Sequence, residues 1–164
     1  MRKKEDIDIT GLIKEKANAP LGDAHELLVR SIMMRLGIEV GKVDLSSGPY
    51  DLMIAVTDKP GGVKTLKRAQ VKTVEKNLHL TAGSRGGVDR IYKSGVKTYK
   101  YTTVHNDVIF GVDKATLDIY VVPTMLCDLW GTSVSKNKIT KLKNNWDILI
   151  NWNEDFLSNL RSSI

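Results

Sequence analysis

The sequence predicts an α/β (α+β) protein, with a mixed central β-sheet flanked by helices. Three observations carry this. One amphipathic helix stands near the N-terminus. A pair of strongly alternating segments follows a Gly-Pro turn. A second hairpin, rich in valine and isoleucine, precedes a tail with helical signals.

The helix is the stretch APLGDAHELLVRSIMMRLG, in which Leu28, Ile32 and Leu36 recur every four residues with Val29 and Met33 beside them. Asp23 reads as its N-cap, Glu26 as a capping-box partner three residues on, and Gly37 as its stop. The IEVGKVDL segment after it alternates weakly, as an edge strand does, and SSGP reads as a turn. From Tyr50 to Val56 the alternation is strong. Leu52, Ile54 and Val56 point one way, and Asp51, Met53 and Ala55 the other. TDKPGG then reads as a hairpin loop, and a strand is expected from about residue 63 to Val74, with Gln70 and Lys72 on one face and Ala69, Val71 and Thr73 on the opposite one. AGSRGGVDR reads as a mobile basic loop. DVIFGVDKATLDIYVVP reads as a hairpin turning at Asp113 to Asp118 and ending at Pro123. The tail NWDILINWNEDFLSNL suggests one or two short helices anchored by Trp146, Trp152 and Phe156.

The chain has 164 residues, 41% of them hydrophobic and 27% charged, which fits one folded domain, residues 1–164, with a core at about 19–123 and a helical extension at 124–164. A single cysteine, Cys127, excludes an intrachain disulfide and suits a reducing compartment. The charged start lacks the apolar run of a signal peptide, and no segment approaches the roughly 18 apolar residues of a membrane span. A cytoplasmic location, nucleoid-associated when bound to DNA, is the expectation.

Charge distribution narrows the function. Between Lys64 and Lys100 stand ten lysines and arginines against two acids, Glu75 and Asp89, in a chain whose total is +6. Such a block suits a polyanion partner, although a solvated surface gives the same count. Other chemistries lack their residues. His25, His79 and His105 are scattered without zinc spacing, nothing pairs Cys127 with a histidine, and AGSRGG lacks a P-loop lysine. Tyr92, Tyr99 and Tyr101, interleaved with Lys93, Lys97 and Lys100, can stack on bases or cover the core.

Paired strands bring Asp51 towards Gln70 and Lys72, and the first helix can bring Glu26 over the same face. Two carboxylates and an amide oxygen beside an ammonium suit Mg²⁺, a hard cation that keeps several waters. Such a centre supports phosphodiester hydrolysis. Each residue also has a plainer reading: Glu26 as a cap, Asp51 as an exposed strand residue, Gln70 and Lys72 as a solvated face.

Glu26, the GPYD ending at Asp51 and the QVK of Gln70 to Lys72 resemble the PD-(D/E)XK superfamily of restriction-endonuclease-like nucleases. The spacing is most similar to the small branch that includes intron-encoded homing endonucleases, over roughly residues 19–123. The resemblance implies catalytic roles for Glu26, Asp51, Gln70 and Lys72. It implies a Mg²⁺ site, in which Mn²⁺ can substitute, held by Asp51, Gln70, Glu26 and the Val71 backbone carbonyl. Duplex or branched DNA is the expected partner, with contacts at Ser47, Lys67, Arg85, Arg90, Lys93 and Lys97. Two-strand cutting implies a homodimer or higher homo-oligomer. Tyr50 splits the usual Pro-Asp pair, and the neutral Gln70 replaces an acid, so the charge on the metal falls more heavily to Glu26 and Asp51. A junction resolvase of the same fold and a non-catalytic nucleic-acid-binding module are the alternatives, and a structural protein without nucleic acid is a third.

Overall fold

The first helix, α1, runs Asn18–Arg35. It opens ahead of the expected cap, with Pro20 in its first turn, where a missing backbone N–H costs nothing. Asp23 therefore lies inside the helix and is no N-cap, and Glu26 is no capping-box partner. The buried stripe is Leu21, His25, Val29 and Met33, flanked by Leu28 and Ile32, while Leu36 is exposed. The expected seam is thus rotated by one position, because the helix turns His25 towards the sheet, where it hydrogen-bonds Thr73 Oγ1 at 2.9 Å through Nδ1. Gly37 ends the helix as its composition promised. Its φ is +73°, Ile38 N–H bonds back to Met33 O at 2.9 Å, and Gly37 N–H bonds Met34 O at 3.1 Å. These two bonds form a Schellman motif.

The computed structural model describes residues 18–44, 48–57, 62, 64–83 and 98–164. The strands after α1 are β1 (Val40–Lys42), β2 (Leu52–Thr57), β3 (Lys64–Val74), β4 (Asn77–His79), β5 (Thr81–Gly83), β6 (Thr98–Lys100), β7 (Val108–Asp113) and β8 (Ile119–Pro123). A mixed five-stranded sheet has the order β1-β2-β3-β7-β8. Among the described strands, β3 and β7 are parallel, in register Val71 opposite Phe110, and the other pairs of this sheet are antiparallel. Every residue of β7 and β8 is buried, as expected of strands covered on both faces. The β2–β3 and β7–β8 pairs are the two expected antiparallel hairpins.

Alternation assigns the two faces. Leu52, Ile54, Ala69, Val71 and Thr73 face α1, and further along this side Phe110 meets Trp146, ring centroids 6.3 Å apart. The opposite face carries Val74 and Gly111 beneath β4. A Cβ on Gly111 would fall 2.8 Å from Val74 Cγ2 and 3.1 Å from Leu78 Cδ1, so only glycine fits without displacement.

The tail belongs to this core. A 3-10 helix (Thr124–Leu129), β9 (Ser133–Ser135), a second 3-10 helix (Lys136–Leu142), α2 (Asp147–Ile150) and α3 (Glu154–Ser163) follow β8. Leu126, Ile139, Leu142, Ile148 and Leu149 are buried, and Trp152 nearly so. Asn153 caps α3 by accepting Phe156 N–H at 2.9 Å, and Arg161 clamps α3 to Asp128 with two bonds of 2.7 and 3.0 Å. Beyond the expected short helices, the sequence reading missed both 3-10 helices and the small pairs β4–β9 and β5–β6. Strands of three residues leave too little alternation to read. Among the described residues no helix is long and apolar enough to cross a membrane.

Candidate functional site

The Gly48-Pro49-Tyr50 turn delivers Asp51 to the mouth of β2. Its backbone is fixed from both sides: Asp51 N–H donates to Ala69 O at 2.8 Å, and Val43 N–H donates to Asp51 O at 2.8 Å. The turn itself is held by Asn106, which is wholly buried. Asn106 Nδ2 donates to Pro49 O at 3.0 Å, and its Oδ1 accepts the Thr124 hydroxyl at 2.5 Å.

The carboxylate of Asp51 then meets β3. Its Oδ2 accepts Val71 N–H at 2.8 Å and the side-chain amide of Gln70. Gln70 is only 8% exposed, and the same amide nitrogen donates to Val71 O at 3.3 Å. The amide thus sits between a carboxylate oxygen and a carbonyl oxygen, where a donor or a cation is needed to hold two acceptors together. Turning the amide over would set its own oxygen in the group.

Lys72 projects from the same face. Its Nζ donates to Thr81 O at 3.2 Å and stands 5.3 Å from the ring centroid of the buried Tyr101. α1 does not cover this face, contrary to the sequence expectation, because its contact with Thr73 puts it on the other one. Glu26 lies instead on the α1 side, paired with Lys42 of β1 at 3.8 Å and close enough to Asp51 to feel its charge.

Electrostatics shows that Glu26 and Asp51 share this region. Burial raises the Glu26 carboxyl above its ordinary range, the Asp51 carboxylate raises it further, and Lys42 and Arg30 oppose the rise. Burial likewise raises Asp51, against the lowering effects of Val71 N–H, Lys72, Gln70 and Lys42. Burial also raises the Tyr101 phenol, with Tyr99 and Asp51 adding to the effect. Burial is the main cause of both rises, and it is a cost that a cation bound beside the carboxylates would offset.

The donor set fits a hard divalent cation. It offers carboxylates, one backbone carbonyl and, with the Gln70 amide turned over, an amide oxygen, all of the kind Mg²⁺ accepts beside its waters. Among the described residues no group of three or more histidines, cysteines or acids is placed to hold a metal ion, so a metal here would rely on the amide and the carbonyl beside the two carboxylates. Cys127 is buried, and its thiol is pushed up to about 12 by that burial.

The basic block divides. Ser47, Arg85, Arg90, Lys93 and Lys97 lie outside the described residues, as do most of the Gly-rich loop and Tyr92. Lys67 sits on the α1 face of β3, its Nζ 5.9 Å from the Trp152 ring centroid, and so faces away from Lys72. Arg68 is engaged within the fold: it bonds the Asp107 carboxylate at 3.1 Å through Nε and the carbonyls of Val104 and Thr103 at 2.7 Å each. Lys64 pairs with Glu39 at 2.5 Å. Tyr101 covers the core, whereas Tyr99 stacks on His105 at 4.6 Å and is partly exposed.

Sequence reasoning missed Asn106 and Lys42. Asn106 stands before a strand like any turn residue, and only its complete burial marks it. Lys42 ends β1 outside the basic block, with its Nζ 3.8 Å from Glu26 Oε2.

No family model matches the chain, and no curated protein matches it. Among solved structures, the chain is similar in fold to a bacterial homing endonuclease, I-Ssp6803I, at a TM-score of 0.65 and 16% identity, with 82% of this chain and 94% of that one covered. At that identity the likeness establishes the fold, a mixed five-stranded sheet with flanking helices, and it reaches well beyond residues 19–123.

Proposed function

We propose that this protein is a metal-dependent DNA endonuclease of the PD-(D/E)XK type, in its QxK form, cutting duplex DNA at specific sites. The observation that carries this reading is the meeting of Asp51, Gln70 and the Val71 carbonyl, with Lys72 on the same face and Glu26 nearby. The fold of a homing endonuclease supports it.

In this reading Asp51, Gln70 through its amide oxygen, the Val71 carbonyl and Glu26 hold Mg²⁺. The ion supplies Lewis-acid polarisation of the phosphate and a more acidic water. Asp51 is oriented before substrate arrives, by the Val71 N–H and by the Asn106-bound turn. Lys72 orients the attacking water or offsets charge developing on the phosphate, with the Tyr101 ring beside its ammonium. The basic residues Arg85, Arg90, Lys93 and Lys97, with Ser47, are assigned to the DNA backbone, whereas Lys67, on the opposite face beside Trp152, is not. Cutting both strands requires two sites, hence a homodimer or higher homo-oligomer. Junction resolution by the same centre is the second reading, favoured by the same donor set but by no separate feature.

The deciding experiment incubates the protein with plasmid and four-way-junction DNA, with Mg²⁺ or with chelator, beside Lys72→Ala. Cleavage that needs Mg²⁺ and vanishes in Lys72→Ala is expected. DNA binding without any cleavage would leave a non-catalytic binding module, and cleavage by Lys72→Ala at the wild-type rate would refute the site.

A further inference from the structure

Among the described residues, Lys42 is a cation paired with Glu26, on the strand beside Asp51, that no motif explains. It ends β1, opposite Leu52, and the next residue, Val43, donates its N–H to Asp51 O at 2.8 Å. Its ammonium lies 3.8 Å from Glu26 Oε2. The lysine side chain is 48% exposed and that of Glu26 18% exposed. A single long contact from a half-exposed lysine is worth only about 0–1 kcal/mol, so it is easily exchanged.

We infer that Lys42 is an exchangeable counter-ion of the site, holding Glu26 while no metal is bound and passing to a DNA phosphate once a divalent cation takes its place. This inference rests on the reading of Glu26 and Asp51 as metal ligands. A doubly charged ion satisfies two carboxylates better than one distant ammonium can. The released side chain is a compact charge on a flexible four-carbon stem, suited to a phosphate oxygen rather than a base edge. Its anchor on β1, next to Asp51, keeps it within reach of DNA lying over the site. Lys72 differs in position: it rises from the other face, with the Thr81 carbonyl and the Tyr101 ring as neighbours.

The exchange gives one substitution two effects of opposite sign. Lys42→Met keeps the apolar stem and removes the charge. Without DNA it should bind Mg²⁺ about two- to fivefold more tightly, because the competing cation is gone. With Ca²⁺ present, its binding to a mixed-sequence duplex should weaken, and the slope of log affinity on log salt should fall by about 0.9. A lysine that merely braces Glu26 would do the reverse in the first measurement, since its loss would loosen a ligand.

The test is calorimetric Mg²⁺ titration and a salt series of DNA binding. It uses the full-length protein, Lys42→Met, Asp51→Ala, and Lys138→Met as a control for lost surface charge. Tighter metal and weaker, flatter DNA binding in Lys42→Met alone is the expected pattern. Metal affinity that is unchanged or lowered in Lys42→Met, or raised equally in Lys138→Met, overturns the exchange while the metal site stands. DNA binding equal to wild type overturns it as well. Absence of Mg²⁺ binding in wild type, or binding that survives in Asp51→Ala, overturns the metal site itself and this inference with it.

Discussion

The Asp51 carboxylate accepts the Val71 backbone N–H at 2.8 Å, so the side chain at the mouth of β2 is aimed by the main chain of β3. Orientation before substrate binding is what an electrostatic catalyst requires. Asp51→Ala should therefore lower cleavage by at least about 10²-fold. It should leave the fold and most DNA binding intact, because the lost hydrogen bond is offset by removal of a buried charge. Circular dichroism, duplex binding and plasmid nicking on one preparation check this. Normal cleavage would remove Asp51 from the site.

Gln70→Glu places a third carboxyl where the amide now bridges Asp51 and Val71 O. Without metal the new charge sits against the Asp51 carboxylate and the Val71 carbonyl, so the variant should be less stable than wild type at neutral pH. Mg²⁺ should restore stability and bind more tightly than to wild type, since a carboxylate replaces an amide at the same reach. Thermal melts with and without Mg²⁺, together with calorimetry, report both effects. Unchanged metal affinity would show that Gln70 is no ligand.

Glu26 and Asp51 both titrate above their ordinary values of 4.5 and 3.8. In the interval between unfolded and folded pKa the native state binds more protons, so the two groups oppose folding when ionised and this opposition fades as pH falls. His25 acts the other way: burial lowers its pKa from 6.5, so acidification below that value favours unfolding. A Glu26→Gln/Asp51→Asn variant separates them. Without metal it should be more stable than wild type at about pH 8, and the difference should shrink towards about pH 5. Mg²⁺ binding by wild type should weaken over the same acidification, because protons compete for both ligands. A stability difference constant across pH would deny that these carboxyls are raised.

Asn106→Ala leaves the Pro49 carbonyl and the Thr124 hydroxyl without their buried partner. A loss of about 1–3 kcal/mol is expected in urea unfolding. Cleavage should fall further than DNA binding, because the turn that delivers Asp51 is loosened while the phosphate contacts remain. An equal loss in both would assign Asn106 to general stability alone.

Neutralising Arg85, Arg90, Lys93 and Lys97 together should weaken binding to all sequences and flatten the salt dependence by about 0.9 per lost phosphate contact. Loss of a base contact would instead cost about 1–3 kcal/mol at one position. A salt titration against wild type decides, and an unchanged slope would make the block a solvated surface.

The sequence by itself determined the sheet's two hairpins, the Gly37 stop and the nomination of Glu26, Asp51, Gln70 and Lys72. These are local matters: strand alternation, left-handed glycine and i, i+2 spacing are written in neighbouring residues. Tertiary structure alone decided which face α1 covers, because an amphipathic stripe states that a helix is buried and not against what. It centred the stripe on His25, Val29 and Met33 and left Leu36 exposed, placed β7 parallel to β3, and buried Asn106 behind the Asp51 turn. It also brought Lys42 from an edge strand to Glu26 on a helix, a pairing across 16 positions that no local pattern encodes. Register and helix placement depend on the summed packing of distant segments, and that sum exists only in the folded chain.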